Sequence, residues 1–346
     1  MIREALSYLY VNAKVMAKEG KFLSSHKWDD LWGCVSPGEI VSLLEGTDYF
    51  PYLSEGSLND AIELEKAVLE EYSDTGREIA NIIPKGAQQL KEFILRRWDI
   101  INLRSIMRGI HGGFGKEQIM DSLLEGGEIG SNLLSSLADA EGMEDFVALL
   151  ENTPYSTLSD SMPKYNETKN LYYLESAIDK IYWTYLWQAT LKGNRIKEFK
   201  EYIERRVEVQ NLKIILRAKS NKMNLEDIHA FLIPECPLLN DILPVFDEEN
   251  ISGIIALLEG TAYFEPLTSV EQEYENTESV LFFEDMLDRL VTKKAADIRK
   301  KKPFGAGPLI GFLISKDVEI QNLLAVIRAT EVDLDRESIR ELVVRK

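Results

Sequence analysis

One short phrase is written three times into this 346-residue chain, and few folds accommodate that. Asp99, Asn102, Leu103 and Arg108 fit acid-x-x-Asn-Leu-x-x-x-x-Arg; Glu208, Asn211, Leu212 and Arg217 fit it again, as do Glu319, Asn322, Leu323 and Arg328. The asparagines stand 109 and 111 residues apart. A second phrase, Leu-Leu-Glu-[Gly/Asn]-Thr-x-Tyr, ends at Tyr49, Tyr155 and Tyr263, with its threonines 106 and 108 apart. Self-similarity at a fixed long period marks a repeat architecture, in which equivalent units stack and complete one another's core. The expectation is a threefold pseudo-symmetric body.

The long stretches between the phrases carry helical periodicity and strong helix formers, notably 171–191 and 196–218. No segment shows sustained alternation with β-branched residues, so the expected class is all-α. An apolar-acid pair recurs at Leu64-Glu65, Leu174-Glu175 and Phe283-Glu284, 33 to 35 residues before each motif acid. Each unit thus reads as a hairpin of two long helices, shorter helices over 116–124, 225–232 and 335–343, and the Leu-Leu-Glu turn. Pro84-Lys85-Gly86, Lys192-Gly193-Asn194 and Pro303-Phe304-Gly305 punctuate the hairpins. Asn224 and Asp333 or Asp335 suit helix caps.

These signals divide the chain into a divergent first repeat over 1–85, repeats over 86–195 and 196–305, and C-terminal helices over 306–346. Asn12 and Lys18 keep the Asn-to-base spacing of six, but Leu9 replaces the acid and Ala13 the leucine. The last piece has the Asn helix without a following turn, and the first block supplies a turn. The two ends are therefore expected to meet, closing a ring or funnel around a central cavity.

On a helix, residues three, four and seven apart share a face. Asn102, Asn211 and Asn322 each align with a branched aliphatic and then Gly109, Ala218 or Ala329, the pattern of a buried amide beside a close contact. Such an amide must be hydrogen-bonded, and turn backbone is the expected partner. Arg108, Arg217 and Arg328 point elsewhere and are expected to tie a different helix. Tyr49, Tyr155 and Tyr263 are expected to bury their rings with the hydroxyl at the edge. All are structural expectations, because packing rules repeat whereas sites are usually unique.

The net charge of −18 repels nucleic-acid phosphates, and no apolar run is long enough to span a membrane. The N-terminus has no apolar signal block, and Cys34 and Cys236 form no metal or disulfide pattern, which suggests reduced thiols. One stretch is basic: Arg289, Lys293, Lys294, Arg299, Lys300, Lys301 and Lys302 against Asp297 alone. It reads as a solvated helix end or as a contact for an acidic partner or lipid headgroups, with Arg299–Lys302 (Arg299, Lys300, Lys301, Lys302) as the candidate interface. The glycine-rich stretches 109–116 and 304–311 fail the phosphate-loop and dinucleotide patterns and read as loops. His26, His111 and His229 lack a second ligand at metal spacing. Of the three, only His111, between a repeat helix and a glycine-rich turn, is a candidate for any functional role. No catalytic, cofactor-binding or metal residues are expected.

The repeated NLRSIMR, NLKIILR and NLLAVIR, with LLEGTDYF and LLEGTAYF, resemble the C subunits of the A-type (V-type) ATP synthases, similar to the d subunit of the vacuolar ATPase. The resemblance covers essentially the whole chain. It implies a three-lobed, non-catalytic helical funnel, peripheral on the cytoplasmic face of the cell membrane. It further implies coupling of the rotor ring of proteolipids (K or c) to the D and F subunits of the central stalk. ATP chemistry is then left to the A and B subunits. The competing readings are a free-standing cytosolic helical-repeat adaptor for protein partners and a helical enzyme with a cavity site.

Overall fold

A computed structural model describes residues 2–191, 196–301 and 303–331, and the described residues hold helices and turns without a strand. Seven long helices organise it: α1 (Ile2–Glu19), α2 (Ala61–Ile82), α3 (Gln88–His111), α4 (Tyr172–Leu191), α5 (Lys197–Ser220), α6 (Leu281–Lys301) and α7 (Gly307–Ala329). Asp60 starts α2 by accepting the Ile62 amide at 2.8 Å, satisfying one of the four donors every helix start leaves free. Helices α3 and α5 end alike. Gly113 and Lys222 take left-handed backbones (φ 73° and 56°), and the next amide returns to a carbonyl five residues back.

The packing order is cyclic. Helix α2 packs on α3, α3 on α4, α4 on α5, α5 on α6, α6 on α7, and α7 returns to α2. Helix α1 lies against α7 and α2. The expected meeting of the two ends is therefore present as direct contact. The core follows the same logic. Leu31, Ile40, Leu44, Tyr49 and Leu64 of the first block cluster with Ile320, Leu323, Val326 and Ile327 of α7, from the opposite end of the sequence. Burial of such side chains stabilises by about 1.5–3 kcal/mol each.

Several sequence expectations need correction. The stretch 304–311 is not a loop throughout, since α7 begins at Gly307. Pro308 sits in the first turn, where its missing N–H costs nothing. Gly311 admits α6 closely: a Cβ there would lie 3.1 Å from that of Arg299. Gly109, Ile110 and His111 likewise complete α3, and a Cβ on Gly109 would meet Ile119 at 2.5 Å. The short helices expected over 116–124 and 225–232 are Lys116–Asp121 and Leu225–His229. They stop early because the backbone just beyond is held by other groups, described below. Asn224 caps the second, accepting the Asp227 amide at 3.0 Å. The third expected short helix, its caps Asp333 and Asp335, and the turn 192–194 lie outside the described residues.

Candidate functional site

Each repeated residue takes its own kind of partner, and the partners repeat with it. Asn102 is fully buried; its Nδ2 donates to the Leu124 carbonyl and its Oδ1 accepts the Leu124 amide, both at 2.8 Å. Asn211 grips Ile233 in the same way, at 3.0 and 2.8 Å. One side-chain amide thus replaces a strand-like pair of backbone bonds and pins the connection 22 residues downstream. Asn322 is buried too. Asn12 differs, donating instead to the Gly305 carbonyl at 2.9 Å, while its companion Lys18 pairs with Glu78 of α2.

The second phrase is a turn with a built-in lock. Thr47, Thr153 and Thr261 each donate to the carbonyl three residues back, at 2.6–2.7 Å, and accept the amide of the tyrosine two residues on. That aims the tyrosine inward. Its hydroxyl does not sit at the edge as expected: Tyr155 donates to Asp99 at 3.1 Å, Tyr263 to Glu208, and Tyr49 to Glu319 at 2.7 Å. A buried hydroxyl needs a partner, and the motif acid provides it. Burial raises the Asp99 carboxyl to about 6 against the pull of the Ile129 amide and the Tyr155 hydroxyl. Burial raises Glu208 as well, and the Tyr155 and Tyr263 phenols.

The arginines tie neighbouring helices, as expected. Arg108 of α3 meets Glu175 of α4 at 2.6 Å, Arg217 of α5 meets Glu284 of α6, and Arg328 of α7 meets Glu65 of α2 at 2.6 Å. The acids are those of the repeated apolar-acid pairs. A second tie two residues after each asparagine is uneven. Arg104 pairs with Asp179 and Lys213 with Asp288, but Leu324 and Leu69 hold the third place and pack on one apolar cluster.

The three Asn helices, with α2 and α4, line a partly open cavity of about 490 Å³. Five residues before each asparagine stand Arg97, Arg206 and Asp317, all in its wall, and Arg97 pairs with Asp317 at 3.4 Å. Above them the wall carries Ile101, Gln210 and Gln321, with Arg108 and Arg328 further along. Cations outnumber acids, and Nε of Arg104 and of Arg206 is buried without a hydrogen bond. Each arginine of the wall already meets a carboxylate, so what the wall offers an oxygen acceptor is these buried Nε donors.

Sequence reasoning missed one repeated position. Six residues before each asparagine stands a base: Arg96 stacks on the Tyr185 ring, Arg205 on Tyr263 and Lys316 on Tyr49. Counting back from the asparagines would have found it. Of the candidate basic interface, Arg299 pairs with Glu19 of α1 at 2.7 Å and Lys300 is exposed. Lys301 ends α6, and Lys302 lies outside the described residues. His111 Nδ1 lies 3.1 Å from the Tyr165 hydroxyl, a helix-end contact. Both cysteines are buried, and neither is in a disulfide. Among the described residues, no group of His, Cys, Asp and Glu could hold a metal ion, and no helix is long and apolar enough to cross a membrane.

The sequence matches the model of the ATP synthase (C/AC39) subunit family over residues 11–342. The C subunit of the A-type ATP synthase of Methanocaldococcus jannaschii is 32% identical, the match covering 99% of this chain and 88% of that protein. Its counterpart in Methanothermobacter thermautotrophicus is 31% identical over 95% of this chain and 85% of the relative. That of Haloferax volcanii is 24% identical over 97% of both. Repeat, fold and kinship agree, and the chain belongs to the ATP synthase (C/AC39) subunit family.

Proposed function

We propose that this chain is a non-catalytic coupling component of an A-type rotary ATP synthase, joining the proteolipid rotor ring to the central shaft on the cytoplasmic face of the membrane. In this reading, blocks 86–195 and 196–305, and 306–346 joined to 1–85, are three equivalent lobes of a funnel. The observation that carries it is the cyclic contact order, tied at equivalent points by Tyr–acid and Arg–Glu pairs. Transmitting torque demands a body that neither shears nor opens. Close-packed antiparallel helices resist shear, and a closed succession has no free edge at which to unwind. The cavity, with its buried guanidinium donors, suits the end of a shaft presenting unpaired helix carbonyls. The relatives named above are themselves called C subunits of A-type ATP synthases. That supports partners among the other subunits of such an enzyme; the proteolipid ring and the D and F subunits of the stalk are the ones this reading assigns.

The test is reconstitution of the enzyme in vesicles with and without this chain. Without it, ATP hydrolysis should continue while ATP-driven ion uptake is lost, and adding the chain should restore uptake. Uptake that is indifferent to the chain, or turnover by the isolated chain, overturns the proposal. A free-standing adaptor would be recovered from solubilised membranes without proteolipid.

A further inference from the structure

The helices around the cavity are tied on a threefold plan that fails on one side. Four residues after Glu65, Glu175 and Glu284 stand Leu69, Asp179 and Asp288. They face Leu324, Arg104 and Lys213, each two residues after its asparagine. Two of these places hold ion pairs, Arg104 with Asp179 and Lys213 with Asp288. The third holds leucines, and Ile101 of α3 packs with them against the same apolar cluster.

Leu69, Ile101 and Leu324 are only half-buried, and all three line the cavity. They form an apolar sector where α7, α2 and α3 meet. The sector between α3, α4 and α5 is polar instead. It presents Gln210 with Arg104 and Arg206, whose Nε atoms are buried without a hydrogen bond. The floor is unequal too, since Asp317 of α7 stands where α3 and α5 carry Arg97 and Arg206. Three like lobes thus build a socket whose walls differ.

We infer that the unequal wall is a key that seats the shaft tip in a single rotational register. An apolar side of the tip lies against Leu69, Ile101 and Leu324, and its free helix carbonyls meet Arg104 and Arg206. This rests on the proposed coupling role and adds what each side of the socket holds. Specificity here is a difference of affinities. Turned by one lobe, the tip would set its apolar side on an ion pair and bury its carbonyls away from a donor. Equal walls would leave three registers alike, and a loaded shaft could slip among them.

Disulfide mapping tests this in the complex of the full chain with the central-stalk subunits of the same enzyme. Ile101, Gln210 and Gln321 are equivalent positions that all line the cavity, and each is replaced singly by cysteine. Cysteine keeps the first of them apolar, and native Cys34 and Cys236 are buried. One cysteine on the side of the shaft tip should bridge a single wall position at least about tenfold faster than the other two. Moving it around the tip should change which position is favoured. Leu69→Asp with Leu324→Arg gives the third place the ion pair of the first. It should bring the three rates within about threefold of one another and weaken shaft binding about tenfold. Equal rates at every tip position, with the shaft bound to the otherwise unaltered chain, overturn the key and leave the coupling role standing. A preference that survives the double substitution in a chain of native helicity does the same. A shaft that fails to bind the unaltered chain overturns both.

Discussion

The three Tyr–acid junctions are equivalent in pattern but not in construction. In two, the partners are 56 and 55 residues apart, within one repeat. In the third, Tyr49 reaches Glu319 across 270 residues. Closing the longer loop costs roughly 1.4 kcal/mol more in chain entropy. The third junction is correspondingly reinforced. Lys316 sits between Glu71 at 2.7 Å and Glu319 at 3.5 Å, and its Nζ donates to the Tyr49 hydroxyl at 2.9 Å. Glu319 also accepts the Leu23 amide, and Thr75 donates to Glu71. Lys316, Glu71 and Glu319 are 5%, 3% and 1% exposed. The base of the second repeat, Arg205, is only half-buried, stacks on Tyr263 and forms no ion pair among the described residues. Where the chain supplies no covalent continuity, a buried charge network specifies the join instead.

The most disruptive way to break this comparison is Lys316→Met. It leaves two buried carboxylates facing one another and should destabilise by about 3–5 kcal/mol in urea unfolding. Arg205→Met should cost well under half of that. Equal losses would mean the third junction is no more dependent on its base than the second.

Removing the asparagines tests equivalence itself. Asn102→Ala and Asn211→Ala each orphan a buried amide and a buried carbonyl and should each cost about 2–4 kcal/mol. The two values should agree within about 1 kcal/mol. Asn12→Ala, which gives up a single bond, should cost about 1 kcal/mol.

A pH series on an Asp99 variant isolates the first junction. The Asp99 carboxyl titrates near 6 in the folded chain, above its ordinary value of 3.8. Its contribution is therefore fully present below about pH 4 and is lost as pH rises to about 6. The loss approaches roughly 2–3 kcal/mol and levels off above that. Asp99→Asn should remove this slope, so the stability difference between wild type and variant, followed by urea titration from pH 4 to 7, should change across that window. A constant difference would refute the assignment.

The smallest expected effect lies at the Arg–Glu ties. The guanidinium side chains of Arg108, Arg217 and Arg328 are about half-exposed, at 56%, 52% and 55%. Solvent screening limits each tie to about 1 kcal/mol or less. Double-mutant cycles of Arg328→Ala with Glu65→Ala, and of Arg217→Ala with Glu284→Ala, should give similar couplings. A larger coupling at the first would extend the reinforcement of the chain-end junction to its surface.

Much of this was legible in residue spacing. The helical class follows from periodicity, and the Asn, Arg and Tyr positions announce themselves by recurring at one period. The repeated bases at Arg96, Arg205 and Lys316 were equally recoverable, but two residue types and an offset outside the motif concealed them. The fate of Phe304–Gly311 was not recoverable. Glycines there signal a loop until one knows that α6 passes close enough to crowd a Cβ at Gly311. The tyrosine hydroxyls were misplaced for a similar reason, since an edge and a buried carboxylate look alike from the tyrosine's own neighbourhood.

By itself, then, the sequence determined that three like units exist, that each is helical, and which residues within a unit must be satisfied. Only the tertiary structure decided that Tyr49 answers to Glu319. At the place where its own repeat should carry the acid stands Leu9, which can accept no hydrogen bond and is exposed. Hydrogen-bond chemistry requires that the buried hydroxyl find an acceptor, and spacing identifies the local candidates. Which distant carboxylate arrives is set by how the helices pack.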